Sequence, residues 1–589
     1  MNGATEFEHW VDGERADLER RYRTALEMLS EQAMAGDDHG AVARWCGQLA
    51  QADPLNAHAA VRYMEALART GDRAGAIRVG RSYEARLKEE LDAGPDPQVV
   101  AAVERMRTPA GDEASVGILP FVNMSPEHEN DYFSDGMTEE LTNALTQVAG
   151  LRVASRTSAF VFKGKHLDLR EIGARLGVRS VVEGSVRKVG NRIRITAQLV
   201  DAVSGYHLWS QTYERTVSDV FALQEEISQS IVRALPLKIG SVAGGPLVRP
   251  TTTLVEAYTL YLRGHYFASK RTPDTLRLAI EYFEQAIELD PEYALAHAGV
   301  GECYALLGFE EIGDSPPMDM MPRARASLER ALTFESDLAE GHHWLGVLAF
   351  LFEYNWPKAE AAFLRAIELK PTYSLAHAWY ALFLSAIGRH EEALARIHHA
   401  AGLDPLSVII HTIVGHTYYL ARRFDEALQR YLATREMDPD NLRLQVWMAR
   451  VYHMTGQFEH GLKMVEAAIH RGGRQSRLVV QQGRFLAALG RRAEAYRIIE
   501  ELEDLRHREH VSPLYTASIY AALGNDEEAL NRFADALEQR SGHVPFLGFD
   551  PAWDPLREDP RFLAMLEKLG LASHLSTNVQ PRALSTPAR

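Results

Sequence analysis

Apolar positions in the second half of the chain recur with the spacing of amphipathic helices that end at a proline. The segments AIEYFEQAIELDP (279–291), AEAAFLRAIELKP (359–371) and EEALARIHHAAGLDP (391–405) share one order of residues: a small one, a large apolar one four positions later, then alanine, then proline. This is the period of a helix with one buried face, closed by a residue that cannot continue it. The pattern therefore predicts a series of helices that each bury one stripe of their surface.

The small residue of this pattern returns at a nearly constant interval. From Ala359 onward the interval does not change, whereas the two earlier intervals are longer, and the longest contains an insert at 308–322. A second helix, with an aromatic residue three positions after an apolar–small pair, precedes most of these positions. The full set of small residues is Ala279, Ala324, Ala359, Ala393, Ala427, Gly461, Ala495 and Ala529.

The constant interval is that of a helix-turn-helix unit of about 34 residues, which resembles the tetratricopeptide repeat (TPR). As in that family, small residues stand where the two helices of a unit cross. We predict about eight units over residues 254–540. One helix pair cannot bury its apolar face alone, so neighbouring pairs stack into a superhelix with a concave groove. Residues 541–571 are predicted to cap the array, and residues 572–589 to form a disordered tail.

The N-terminal region carries a fainter form of the same pattern. Val42 and Ala76 occupy matching positions one repeat length apart, and Asp53 and Pro54 end a helix. The order of an amphipathic opening helix, a DPL helix end, a TGDRAGAI turn and a closing EL-x-x-x-PDP resembles the bacterial transcriptional activator domain. The resemblance covers residues 5–107 and implies a helical, TPR-like module.

Between the helical parts, over residues 115–235, strand-length apolar runs appear. VGILPFVNMS and LRVASR predict two short strands, and residues 180–215 alternate with period two around the turns VGNR and VSGY, which predicts an antiparallel meander. The motifs ILPFVNMS, DYFSDGMTEELTNAL and RTSAFVFKGK resemble the TolB N-terminal domain and the related FlgO-type domain. The predicted fold class is mostly α, with this central α/β domain set between linkers at 108–114 and 240–253.

Charge and cysteine usage exclude some functions. The formal net charge is −16, and residues 1–107 carry 14 Lys and Arg against 19 Asp and Glu, whereas nucleic-acid affinity needs clustered cations. The winged helix that usually precedes such an activator domain has no room before the opening helix, so we expect no sequence-specific DNA binding. Two distant cysteines, no leader peptide and no apolar run of membrane-spanning length predict a soluble cytoplasmic protein.

The search for catalytic motifs is negative. The sequence has no phosphate loop, nucleophile elbow, HExxH or Rossmann fingerprint. Glu183, Arg187 and Arg192 lie near strand turns of the central domain, but no readable nucleophile and base accompany them. We therefore predict no enzyme activity, no cofactor and no metal. An unrecognised active site in the central domain, or an envelope or motility assembly role, is the alternative.

Two further segments of the central domain could suggest a ligand. FKGKH (162–166) lacks the upstream glycine and the following Ser or Thr of a phosphate loop, so we expect a turn with solvated lysines. The acidic loop at 126–136 does not have the spacing of a calcium loop. We expect it to be solvated, with Asp135 capping the next helix.

Histidines recur at one register of four successive repeats. A metal ladder is disfavoured, because packed helices lie roughly 8–10 Å apart and zinc needs bonds of about 2 Å. We predict instead that these imidazoles fill the position of a bulky aromatic side chain in the repeat. They are His297, His342, His377 and His411.

The concave groove is the candidate binding site. Positions 2, 5, 9 and 12 of each first helix face it in the TPR family, and aromatic and arginine side chains are favoured interface anchors. These anchors favour an extended or helical peptide with acidic and apolar positions as the ligand. The alternative is that they form the visible face of a solenoid with no defined ligand. The groove residues are His343, Phe350, His416, Tyr419, Arg450, His453 and Arg484. The predicted function is a non-enzymatic regulatory scaffold with protein partners, among them a DNA-binding or transcription-machinery protein.

Overall fold

The computed structural model describes most of the chain in three parts. Outside the described residues lie the predicted linker at 108–114 except residue 114, half of the linker at 240–253, and the predicted tail at 572–589 except residue 572. The described ranges are 2–35, 39–70, 72–91, 94, 96–107, 114–125, 130–165, 167–235, 246–248 and 250–572.

The N-terminal module is a layer of five helices. Val42 and Ala76, the positions predicted to match, are both buried. Asn56 caps the third helix by accepting a hydrogen bond from the amide of Ala59 at 3.0 Å, as expected of an asparagine at a helix start. The helices are α1 Asn2–Ala35, α2 His39–Ala52, α3 Ala57–Arg69, α4 Arg73–Leu91 and α5 Pro97–Arg107.

The central domain is a mixed sheet covered by helices, with the strand order β3-β1-β4-β5-β6 and β2 paired to β4. β1 runs parallel to β3 and β4, while β4, β5 and β6 are antiparallel neighbours, so the predicted meander is confirmed. Its elements are β1 Ser115–Ile118, β2 Val122–Asn123, α6 Asp131–Thr146, β3 Arg152–Val153, α7 Arg156–Phe160, α8 Leu169–Leu176, β4 Ser180–Val189, β5 Arg192–Asp201, β6 His207–Thr216 and α9 Val220–Ala234.

The period-two alternation of apolar residues in the sequence matches the buried face of this sheet. Ile193, Ile195, Ala197 and Leu199 are fully buried on one face of β5, where they pack with α6 and α9 in a single core. A sheet with one face against helices and the other nearer to solvent gives this alternation. The strand pattern of the sequence therefore follows from the burial of one face.

One polar pair of the central domain corrects two expectations. Asp135 lies within α6 and is buried, and both of its carboxylate oxygens accept hydrogen bonds from the Lys163 ammonium at 2.7 Å. The expectations that Asp135 caps that helix and that Lys163 is merely solvated are therefore wrong, whereas Lys165 is exposed. The physical reason is that a buried carboxylate needs a charged partner, and the turn after α7 supplies it.

The C-terminal array contains eight helix pairs in succession. The small residues predicted where the helices of a unit cross are buried, and their surroundings are closely packed. A Cβ added to Gly461 would lie 2.1 Å from the Phe485 ring. The helices are α10 Val255–Ala268, α11 Pro273–Leu289, α12 Ala294–Leu307, α13 Pro317–Phe334, α14 Ala339–Leu348, α15 Trp356–Leu369, α16 Ser374–Ala386, α17 His390–Leu403, α18 Val408–Leu420, α19 Phe424–Met437, α20 Leu442–Met454, α21 Phe458–Gly472, α22 Ser476–Ala488, α23 Arg492–Leu505, α24 Pro513–Ala522 and α25 Asp526–Glu538.

The four recurring histidines hold the loops between repeats. In each, the imidazole Nε2 lies 2.8–3.0 Å from the backbone carbonyl oxygen six residues earlier, as in the contact of His377 with Pro371. The acceptor carbonyl lies in the turn between two helices, where the backbone has no regular partner, and this side chain satisfies it. The recurrence therefore has a structural cause within the repeat.

Helix α10 belongs to the cores of both the array and the central domain. Tyr258 and Leu262 are buried among the central-domain residues, and the Gln224 amide donates a hydrogen bond to the Tyr258 hydroxyl at 2.7 Å. Farther along the array, the buried Asp404 carboxylate accepts hydrogen bonds from the hydroxyls of Ser155 and Ser158. The two parts thus meet through packed apolar and polar contacts.

After the last helix pair, the chain turns back over the array. This C-terminal segment, residues 541–572, contains two short 3-10 helices, Val544–Phe546 and Pro551–Leu556, and the helix α26, Pro560–Lys568. Among the helices the structure describes, none combines the length and the apolar character needed to span a bilayer.

Candidate peptide-binding groove

The first helices of the repeats, α14, α16, α18, α20 and α22, carry the predicted groove residues. His416 and Tyr419 lie on α18, Arg450 and His453 on α20, and Arg484 on α22. His343 lies on α14, and Phe350 follows in a single π-helical turn, Ala349–Glu353. The predicted residues thus lie on, or directly after, the first helices of five successive repeats.

The C-terminal segment packs against several of these first helices. The Phe546 ring lies 5.5 Å from Phe350 and 5.3 Å from His416, measured between ring centroids. The Phe549 ring packs over Gly388, where an added Cβ would lie 2.4 Å from it. The groove is therefore occupied by the chain itself.

Acidic side chains of the segment meet polar groups of the array. The Tyr419 hydroxyl donates a hydrogen bond to Asp550 at 2.9 Å, and an Arg450 nitrogen lies 3.6 Å from the same carboxylate. Asp554 accepts two hydrogen bonds from the Arg422 guanidinium, each 2.6 Å long. Paired bonds of this geometry orient the partner as well as attract it. The segment thus carries both apolar and acidic anchors.

The backbone ends of the segment are also held. The Trp356 indole nitrogen donates a hydrogen bond to the Leu569 carbonyl at 2.7 Å, and the Tyr354 hydroxyl donates one to the Ser541 carbonyl at 3.2 Å. Trp553 stands against Phe533 of α25 with the ring centroids 4.6 Å apart. These contacts fix the segment at both ends and in the middle.

Several of the predicted groove residues are core residues in this structure. His343 and Phe350 are fully buried, and burial lowers the pKa of the His343 imidazole to about 3. His453 packs between the rings of Phe458 and Phe485, and burial lowers its pKa well below the usual value. These histidines are therefore neutral near pH 7, and their role as contacts for a partner stays a prediction.

A small cavity lies beside the C-terminal segment, between α20 and α22. Four arginines line it, together with Glu311, Asp550, Phe546 and Trp553. Two of the arginines, Arg443 and Arg477, were missed in the sequence prediction. Their signal was readable, because each stands two helical turns before a predicted groove arginine on the same helix, and the two occupy equivalent positions of successive repeats.

The central-domain residues considered as an active site do not come together. Arg187 and Arg192 are exposed and Glu183 is half-buried, and within the described ranges no ion pair joins any two of the three. Among the described residues, no group of three or more His, Cys, Asp or Glu side chains is placed to hold a metal ion.

Known family models match segments of both helical parts of the chain. Residues 2–107 match the family model of the bacterial transcriptional activator domain. Residues 275–293 and 362–395 match tetratricopeptide repeat models. The N-terminal module is thus an activator domain, and the C-terminal array is built from TPR units.

Two curated relatives match parts of the chain. A putative adenylate cyclase 3 from Rhizobium meliloti is 36% identical over 258 residues, 44% of this chain and 43% of the relative. The transcriptional regulator HilA from Salmonella typhimurium is 24% identical over 296 residues, 49% of this chain and 51% of the relative. The chain thus spans about half the length of the curated relatives it matches.

Among solved structures, yeast Tom70 aligns over 96% of this chain and 98% of its own, with 12% identity and a TM-score of 0.33.

The curated relatives bear on function and correct one prediction. The cyclase relative carries the name of an enzyme, which contradicts our expectation from the missing motifs that the chain is not one. Motif searches detect only active-site architectures that are already known. The absence of known motifs was therefore weak support for the prediction of no enzyme activity.

Proposed function

We propose that this chain is a regulatory protein whose TPR groove binds a partner through a peptide with apolar and acidic positions. One observation carries the proposal: the chain's own C-terminal segment occupies the groove with such residues. The activator domain and the similarity to a transcriptional regulator support transcription control, with a DNA-binding or transcription-machinery protein as partner. A cytoplasmic location is part of the same proposal.

The contacts of the C-terminal segment define what such a partner would present. Phe546 and Phe549 fill apolar positions, and Asp550 and Asp554 face Arg450 and Arg422 respectively. Docking of the segment within one chain has a high effective concentration. A partner peptide must therefore displace it, so the segment acts as an intramolecular inhibitor of the groove.

A peptide added in trans tests the proposal. We expect a labelled peptide of residues 543–557 to bind the double variant Asp550→Asn, Asp554→Asn at least about tenfold more tightly than the wild-type chain. Both substitutions weaken the docked segment but leave the arginines of the groove in place. Fluorescence anisotropy of the labelled peptide gives the two dissociation constants.

The control for this experiment is Glu558→Gln, which removes a charge from an exposed position of the same segment and should bind the peptide like wild type. A scrambled peptide should bind neither variant. Equal affinity of the double variant and wild type for the peptide, or equal binding of the scrambled peptide, would show that the groove is not a peptide site.

We further assign the central domain to the TolB N-terminal and FlgO-type group. The residues quoted above carry that resemblance, and the observed mixed sheet with its antiparallel meander is compatible with it. Under this proposal the domain is a docking platform, since it packs directly against α10 and the loop that holds Asp404.

The similarity to a putative adenylate cyclase supports a second candidate, namely that the chain has this activity or is the regulatory part of a protein that does. The test is incubation of the purified chain with ATP and Mg²⁺ or Mn²⁺, with cyclic AMP and pyrophosphate measured together. Formation of both above a heat-denatured control supports activity of the chain itself. Absence of product with every metal would leave only the regulatory relation.

A further inference from the structure

The cavity beside the C-terminal segment has an arginine at each of four related positions. Arg443 and Arg450 lie two turns apart on α20, and Arg477 and Arg484 occupy the same two positions on α22, one repeat farther along. Neighbouring repeats stack with their first helices side by side. The four guanidinium groups therefore line one cavity from two helices.

The cavity holds more positive than negative charge. Its carboxylates are Glu311 and Asp550, so four arginines face two acids, an excess of two positive charges. Asp550 is already engaged by the Tyr419 hydroxyl and the amide of Ala552, and Glu311 lies 3.7 Å from the imidazole of His543. Burying uncompensated charge is unfavourable, so this excess points to an anionic ligand.

The arginines of the cavity are paired mainly with neutral acceptors or only in part. Arg477 donates to the Gln475 amide oxygen and to the Glu311 backbone carbonyl, and an Arg450 nitrogen lies 3.6 Å from Asp550. The Nε of Arg450 is buried without an acceptor in the part of the chain that the structure describes. Arg484 is 4% exposed and donates to the Gln481 amide oxygen, a neutral acceptor. Burial lowers the pKa of Arg443, and the nearby guanidiniums of Arg271 and Arg477 lower it further. Part of the hydrogen-bonding capacity of these guanidinium groups is therefore unused among the described residues.

Size limits the ligand. The cavity has a volume of about 50 Å³, whereas a single water needs roughly 10–15 Å³ on the same measure. The space suits a compact oxyanion and excludes a nucleoside while the C-terminal segment is docked. The Trp447 ring offers no stacking platform, because Arg450 and His416 pack against it.

We propose that these four arginines bind a phosphate dianion, either inorganic phosphate or the terminal phosphate of a small monoester. A dianion matches the excess of two charges, and guanidinium groups recognise phosphate oxygens through paired hydrogen bonds. A carboxylate would carry half that charge and offer only two acceptor atoms. This site goes beyond the peptide groove and does not depend on peptide binding.

Isothermal titration of the full chain with inorganic phosphate, in low-salt buffer near pH 8, tests the site. We expect saturable binding of one phosphate per chain, and similar binding of methyl phosphate. Arg443→Gln should weaken both at least about tenfold, because this half-buried guanidinium carries one of the two excess charges. Arg443→Lys retains the charge and should restore part of the affinity.

The control is Arg435→Gln, which removes an exposed arginine from α19 and should leave phosphate affinity unchanged. Matching circular dichroism melts of the variants show that loss of binding is not loss of fold. Methyl phosphate binding as tightly as phosphate supports a monoester ligand, and phosphate alone supports the free ion. Equal affinity of wild type and Arg443→Gln, acetate binding as tightly as phosphate, or no saturable binding would each overturn the proposal.

Discussion

Replacing Trp553 by alanine is expected to destabilise the C-terminal half of the array by about 3–5 kcal/mol, the usual cost of truncating a buried tryptophan. The side chain is 5% exposed and stands against Phe533, which also packs on Phe562 of α26. Removing the indole opens a void where the C-terminal segment meets the last helix pair. Thermal unfolding followed by circular dichroism should show a lower midpoint.

The matched control for this variant is Trp10→Ala, because Trp10 is 60% exposed on the first helix of the N-terminal module. Its unfolding midpoint should stay close to that of wild type. Trp553→Ala should also bind the peptide of residues 543–557 more tightly, since its own segment is loosened. An unchanged midpoint together with unchanged peptide binding would mean that the segment is not anchored by this residue.

Replacing Leu262 by aspartate is expected to cost about 4 kcal/mol or more, because it creates a cavity and buries an unpaired carboxylate. Leu262 belongs to α10 of the array but is 4% exposed within the core of the central domain. A Cβ added to Gly136 of α6 would lie 2.6 Å from its methyl groups, so the packing is close. Unfolding of both parts should begin at a lower temperature.

The control is Leu254→Asp, one position before α10, where the side chain is 45% exposed. This change should leave unfolding nearly unaffected. Limited proteolysis adds a readout, because Leu262→Asp should expose α10 to cleavage while α10 of the wild type resists. If the two aspartate variants unfold and cleave alike, the central domain and the array do not share a core through α10.

The shared helix also bears on how the array behaves when produced alone. The sequence predicts that residues 254–571 fold as a separate, helical unit, because repeat stability is a sum of local and nearest-neighbour terms. In the structure such a fragment exposes Tyr258 and Leu262, which are buried in the full chain. We therefore expect the fragment to be helical but to carry an apolar patch on its first helix.

Local periodicity made the sequence informative about the helices and strands. The constant repeat interval located the helix crossings, since only small residues fit where the helices touch, as at Gly415 and Gly461. Period-two alternation located the meander, because one face of β5 is buried. Both signals depend on patterns that are written along the chain, so the sequence alone carries them.

Occupation of the groove was decided by the tertiary structure. Phe350 and Phe546, or Arg422 and Asp554, are far apart along the chain, and no spacing rule connects them. The sequence located the first helices of the repeats and the segment that ends the array, but not the burial of His343 and Phe350 within the core. Their mutual contact depends on how the returning chain packs over several repeats at once, and the relative positions of those repeats are set by the sum of packing angles between successive repeats.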